Sequence, residues 1–149
     1  MGLDSLDRYY GQSLLLVARQ VQQRLAARLE PVDVSVSQFG VLHHVASRPD
    51  VTSGELARLL GYTPQAASVA VRDLTRRGWI ERESHGQRGK RIALRLTEDG
   101  ARCHAQALAV VLDFEDEIGA LVGGLRTLDR LVDDLHGAWR RIDAGTQPA

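Results

Sequence analysis

Apolar residues recur at steps of three and four from Leu6 to Leu29 (Leu6, Tyr10, Leu14, Val17, Val21, Leu25, Leu29), with Arg8, Arg19, Gln22 and Gln23 on the other faces. That period predicts a long amphipathic helix, stopped by Pro31. Ser35-x-x-Gln38 has the spacing of a capping box and opens a helix to about Ser47, with Phe39, Leu42 and Val45 inward. Arg48-Pro49-Asp50 breaks it. Farther on, Thr97 caps another long helix, with Glu98 and Asp99 in the first turn where the helix dipole favours acids. It runs to about Val122 with Ala101, Ala105, Leu108, Val111, Leu112, Ile118 and Leu121 as its apolar face, and Gly123-Gly124 ends it. The last helix, Leu125 to Ile142, has the cleanest pattern. Leu125, Leu128, Val132, Leu135, Trp139 and Ile142 alternate steps of three and four, a narrow heptad seam, and Gly145 to Ala149 reads as a frayed tail.

Between these helices, Thr52 to Thr97 follows a different logic. Thr52-x-x-Glu55 is a second capping box, and Leu56, Leu59 and Leu60 form the stripe of a short helix that Gly61 ends. Thr63-Pro64 then supplies a hydroxyl N-cap and a proline already at helical φ. The helix that follows turns Ala67, Ala70, Val71 and Leu74 toward the first. Two short helices joined by a tight glycine turn form a helix-turn-helix. Gly78 closes the second, and Trp79 to Glu83 reads as a strand. His85 to Gly89 has the chemistry of a turn, and Ile92, Leu94 and Leu96 alternate onto one face of a second strand. Strand, basic loop and strand after a recognition helix make a winged helix-turn-helix with Gln87 to Arg91 at the wing tip.

The zero net charge of the 149 residues hides a strong polarity. Residues 72–96 hold eight bases against three acids, residues 97–149 five against ten, and residues 1–71 six of each. A basic head and an acidic tail suit a chain that meets phosphate at one end only. The size fits a single domain able to bury about two-thirds of its unfolded surface. The longest strongly apolar run, Leu14 to Ala18, is far short of the ~20 residues that span a bilayer. No secretory segment opens the chain, and the single Cys103 permits no internal disulfide, so a reducing, cytoplasmic location without membrane contact is expected.

The sequence resembles the MarR family of bacterial transcription regulators. The matching pieces, in order, are Ser35-x-x-Gln38-Phe39, Gly54-Glu55-Leu56-Ala57 and Thr63-Pro64-Gln65-Ala66-Ala67-Ser68. Arg72-Asp73-Leu74, Gly78-Trp79-Ile80-Glu81-Arg82 and Leu96-Thr97-Glu98-Asp99-Gly100 complete the set. One departure stands out. The family's wing usually carries Asp-x-Arg, and those positions are Arg88 and Lys90 here, so the acid that braces the wing arginine is missing. The resemblance implies a mainly α (α+β) fold: a winged helix-turn-helix over 35–97, flanked by N- and C-terminal helices (1–34 and 98–144) that form a dimerisation domain. The apolar stripes point the same way, since three amphipathic helices offer more than one subunit can bury. A two-fold dimer built from the first, fifth and sixth helices would meet a palindromic operator in double-stranded DNA, with half-sites about one helical turn (~10 bp) apart.

On this reading Gln65, Ser68 and Arg72 meet the major groove, where Gln can read adenine and Arg guanine in bidentate fashion. Thr63, Pro64 and Ala66 hold position or touch a thymine methyl. Arg76 and Arg77 reach phosphate unless Asp73 claims one of them, and Arg88, Lys90 and Arg91 form the wing. Repression relieved by a small aromatic ligand is what the resemblance implies, with Tyr9, Tyr10, His43 and His44 as candidate lining residues. His43 and His44 are sequence neighbours about 100° apart on a helix and cannot chelate one metal together. No phosphate loop, zinc-protease motif, CxxC or nucleophile elbow is present, so no enzyme activity and no cofactor are expected. The acids at 113 and 115–117 fan around a helix as a solvated face. Two other readings compete: a winged helix that binds protein rather than DNA, and a redox-responsive regulator acting through Cys103. Against the latter, peroxide-sensing relatives carry their reactive cysteine in the first helix, which here has Tyr9 and Tyr10 but no cysteine.

Overall fold

The computed structural model describes residues 9–84 and 92–143. Helices α1 (Tyr10–Leu29), α2 (Val36–Ser47), α3 (Ser53–Leu60) and α4 (Pro64–Arg76) precede strands β1 (Ile80–Ser84) and β2 (Ile92–Leu96); α5 (Glu98–Leu121) and α6 (Leu125–Asp143) follow. A short 3-10 turn over Glu30–Val32, with Pro31 inside it, closes α1. The order helix, helix, helix, strand, strand from α2 to β2 is that of a winged helix-turn-helix. Contacts divide the chain into two compact units, Met1–Val110 and Val111–Ala149, with α5 running across the division.

In the first unit, local chemistry sets each helix boundary. The Ser35 hydroxyl accepts from the Gln38 amide at 3.2 Å, and the Gln38 side chain accepts from the Ser35 amide at 2.9 Å. Thr52 and Glu55 repeat this reciprocal bond at 3.3 and 2.9 Å. Each box satisfies amides that a helix start leaves without partners. Gly61 ends α3 at φ 65°, a left-handed backbone that costs glycine nothing. Thr63 then caps α4 by accepting from the Ala66 amide at 3.2 Å.

The core draws Val41, Leu42 and Val45 from α2, Leu56 and Ala57 from α3, Ala67, Val71 and Leu74 from α4, and Ile80, Ala93 and Leu94 from the strands. Two details differ from the periodicity. Leu59 is 41% exposed, whereas Ala57 is buried. At ~100° per residue, Leu56, Ala57 and Leu60 span one sector and Leu59 falls outside it. In β2 the neighbours Ala93 and Leu94 are both buried while Ile92 is 46% exposed. The Leu94 amide donates to the Val51 carbonyl at 2.9 Å, so this part of the strand is enclosed from its edge as well. Ile92 lies instead at the end of the antiparallel ladder, opposite Ser84.

Along α5 the buried residues are Gly100, Ala107 and Phe114, at a spacing of seven, and then Gly119. The expected face does not coincide with them: Ala101, Ala105, Leu112 and Leu121 are exposed, and Leu108, Val111 and Ile118 are half-buried. Periodicity weighted by side-chain size misses a contact line that begins with a glycine and an alanine.

In the second unit, α5 turns into α6 through Gly123 and Gly124, at φ 87° and 112°. A Cβ placed on Gly119 would lie 2.7 Å from the Leu125 side chain, which would have to shift for any larger residue where the helices meet. On α6, Leu125, Val132 and Trp139 are exposed and Leu128 and Leu135 half-buried. The seam read from the heptad is therefore largely open to water in one chain; the Ile142 side chain lies outside the described set. Among the described residues no helix is long and apolar enough to cross a membrane.

Candidate nucleic-acid interface

Helix α4 is divided into two faces. Ala67, Val71 and Leu74 are buried, and Thr63, Pro64, Gln65, Ala66, Val69, Arg72, Asp73 and Arg76 are exposed, with Ser68 half-buried at the margin. The first turn thus offers an amide, small side chains and the positive end of the helix dipole, followed two turns later by Arg72. Thr63 contributes its hydroxyl to the cap rather than to a partner. Val69, 50% exposed at the centre of this face, was not singled out by the sequence pattern.

The basic residues differ in their engagements. Arg72 forms no ion pair with a described residue, whereas Arg76 pairs with Asp73 at 3.5 Å on the same helix. Arg77 is turned elsewhere: it donates to the Asp33 carboxylate at 3.0 Å, and its guanidinium lies 4.8 Å from the Trp79 ring centroid. That side chain joins the end of α4 to the turn after α1. Beside α4, Arg72, Thr75 and Arg76 line a cleft of about 440 Å³ that, among the described residues, Arg82 of β1 also lines. Arg82 belongs to the basic cluster in sequence but was not among the DNA-contact candidates. The wing candidates Arg88, Lys90 and Arg91 lie outside the described residues.

The ligand candidates separate. His43 and His44 come together with Phe39 and His104: His43 Nδ1 is 3.3 Å from His104 Nε2, and Phe39 stacks on both His43 and His104, with ring centroids 5.5 and 6.0 Å away. His44 meets His43 edge-on at 6.0 Å. Burial, then the nearby His43, holds His104 below the ordinary histidine range. Burial also lowers His44, with Arg48 and His43 adding to the effect. Tyr9 and Tyr10 stand exposed at the start of α1 and share no ring contact with this cluster among the described residues. No group of three or more His, Cys, Asp or Glu among the described residues is placed to hold a metal ion. Cys103 is half-buried, and burial pushes its thiol upward; Arg77 opposes that and Asp33 reinforces it.

A model of the MarR family matches residues 32–91. The HTH-type transcriptional repressor Rv2887 of Mycobacterium tuberculosis is 31% identical over 111 residues, covering 74% of this chain and 79% of the relative. The chain belongs to the MarR family. Among solved structures, the transcriptional repressor CouR, bound to a 23-mer DNA duplex, is similar with TM-score 0.81 and 26% identity, covering 93% of this chain and 97% of that one. The complex of Rv2887 with salicylic acid is similar with TM-score 0.67 and 27% identity over 84% of this chain and 94% of that one. MarR family members are transcription regulators, and the winged helix-turn-helix described above is the unit they share.

Proposed function

We propose that this chain is a cytoplasmic transcriptional repressor that binds a palindromic operator as a homodimer and releases it when a small aromatic ligand binds. The observation that carries the DNA reading is the outer face of α4, where Gln65, Ala66, Ser68 and Arg72 stand unburied along a helix whose other side is held in the core. A helix fixed on one face and polar on the other fits a major groove. Gln65 and Arg72 read base edges, Thr63, Pro64 and Ala66 set the approach of the helix start, Arg76 meets phosphate, and Arg88, Lys90 and Arg91 form the wing. CouR bound to DNA supports this assignment by similarity.

The dimer reading rests on apolar surface left open in the single chain. Tyr10, Leu14 and Val17 of α1, and Leu125, Val132 and Trp139 of α6, are each at least 43% exposed. Apolar rows of that kind are covered by a partner in a stable regulator. For the ligand, the Phe39, His43 and His104 stack supplies flat rings and imidazole nitrogens that suit an aromatic acid, and the Rv2887 complex with salicylic acid supports that class. Displacing α5 against α2 there would alter the spacing of the two recognition helices.

Mobility shift with DNA from the gene's own upstream region, with and without salicylate, tests both parts. A shifted complex that salicylate dissolves is expected. Failure to shift that DNA at low salt, with protein that remains folded, would favour the protein-binding winged helix. A shift abolished by peroxide and retained in Cys103→Ser would favour the redox reading; the raised thiol counts against it.

A further inference from the structure

Arg82 leaves the middle of β1, exposed, and faces a cleft shared with Arg72 and Arg76, which stand one turn apart on α4. Three arginines therefore line one space of about 440 Å³. Thr75, the other described residue of the lining, brings no negative charge: its hydroxyl donates back to the Val71 carbonyl at 2.8 Å. Compensation is sparse. Asp73 pairs with Arg76, but the two side chains are 50% and 74% exposed and a surface pair of that kind is weak. Of the acids flanking Arg82 on its own strand, Glu83 is paired with Arg95, and Glu81 projects from the opposite face of the strand. Neither Arg72 nor Arg82 is ion-paired with a described residue. Like charges gathered around a concavity raise the local potential and attract an anion. Guanidinium forks match the oxygens of a phosphate two at a time.

We propose that Arg82 and Arg76 seat one backbone phosphate of the bound DNA in this cleft, with Arg72 on the wall nearest the bases. The inference rests on the DNA-binding reading above and adds a strand residue to the interface. The group recognised is a phosphate oxyanion, which DNA and free inorganic phosphate both carry; the cleft adjoins the outer face of α4, which favours the backbone. A phosphate fixed there would set how far α4 advances along the groove, since such contacts fix register without reading sequence.

The full-length protein and Arg82→Gln are compared on a footprinted duplex and a scrambled one. Arg82 is exposed, so the variant should melt with the wild type. Arg82→Gln is expected to bind both duplexes about tenfold more weakly. Its salt slope should fall by about one, and Arg82→Lys should restore that slope. Duplexes carrying a single neutral methylphosphonate at successive positions locate the contact. Wild type should lose affinity at one phosphate per half-site, and Arg82→Gln should lose less there, since only Arg76 still holds that phosphate. If every substitution weakens the variant as much as the wild type, or if the salt slope is unchanged, the proposal is overturned while DNA binding stands. Wild-type protein that binds no duplex overturns both. Arg82-dependent binding of inorganic phosphate, seen by phosphorus NMR at matched ionic strength and with unaltered DNA affinity, would make the cleft a free-anion site and also overturn the assignment.

Discussion

The Thr97 hydroxyl donates a 2.6 Å hydrogen bond to the Gly78 carbonyl, so the residue that caps α5 is tied to the residue that ends the recognition segment. The same hydroxyl accepts from the Gly100 amide at 3.0 Å, and the Thr97 amide donates to the Trp79 carbonyl at 3.1 Å. A Cβ on Gly100 would fall 1.9 Å from that Trp79 oxygen. The start of α5 is thereby tied to the exit of α4.

Removing either half of this junction should destabilise the fold. Thr97→Val loses the cap and the strap together and should cost about 1–2 kcal/mol. Gly100→Ala meets main chain rather than a yielding side chain, so about 1–3 kcal/mol or more is expected. Urea unfolding measures both, and an alanine variant as stable as wild type would show that the junction can open.

Which contacts could be read in advance depends on how far apart in the chain the partners lie. The Thr52–Glu55 and Ser35–Gln38 boxes and Gly61 answer local backbone needs, and short spacing shows them directly. Arg77 finds Asp33 across 44 positions, and His43 finds His104 across 61. No periodicity encodes such pairings, which is why the Arg77–Asp33 and His43–His104 contacts could not be read from the sequence. Arg82 was passed over for the same reason: its meaning comes from the α4 arginines across the cleft, not from its neighbours on the strand.

Acid should weaken the fold through the histidines. In the folded chain His104 and His44 are held below their ordinary value of 6.5, mainly by burial. As pH falls through about 6.5, the unfolded chain takes up protons that the folded chain refuses, so stability declines until the depressed folded values are passed. Urea midpoints measured from pH 8 downward should fall in that window. The slope should flatten in a His44→Gln, His104→Gln double variant, and an undiminished slope would place the titration elsewhere.

Cys103 should be a slow thiol at neutral pH. Burial raises it above the ordinary 9.0, and Arg77, which opposes this, is already paired with Asp33. The thiolate is the reactive form. Iodoacetamide should label native protein more slowly than urea-unfolded protein at pH 7.5, and Cys103→Ser should bind DNA as wild type does. Faster labelling of the native chain would revive the redox reading. The neutral thiol also favours the fold until pH rises past 9.0, so any stability it contributes is lost only in strong base.

Base reading and phosphate contact should separate by mutation. Gln65→Ala and Arg72→Ala should each cost about 1–3 kcal/mol on the operator and relax discrimination at one position. Lys90→Ala should weaken operator and scrambled DNA alike. Binding titrations on operators carrying single base changes check this, and equal weakening by all three variants would contradict the division of labour.

The open seam of α6 gives the sharpest test of assembly. Val132 is 45% and Trp139 61% exposed, and both lie on the heptad row. In a two-fold interface each side chain is buried twice, once per subunit. Burying such a side chain contributes about 1.5–3 kcal/mol, so Trp139→Asp should cost roughly 3–6 kcal/mol of association, a weakening beyond a hundredfold. Sedimentation should then show monomer where the wild type is dimeric. Operator affinity should fall with it, because two half-sites would no longer be held by one particle. Leu59→Ser serves as the control: its side chain is 41% exposed, but it belongs to α3, outside the proposed interface. A Trp139→Asp protein that remains dimeric would move the interface to another surface, with the exposed row Tyr10, Leu14 and Val17 on α1 the next to test.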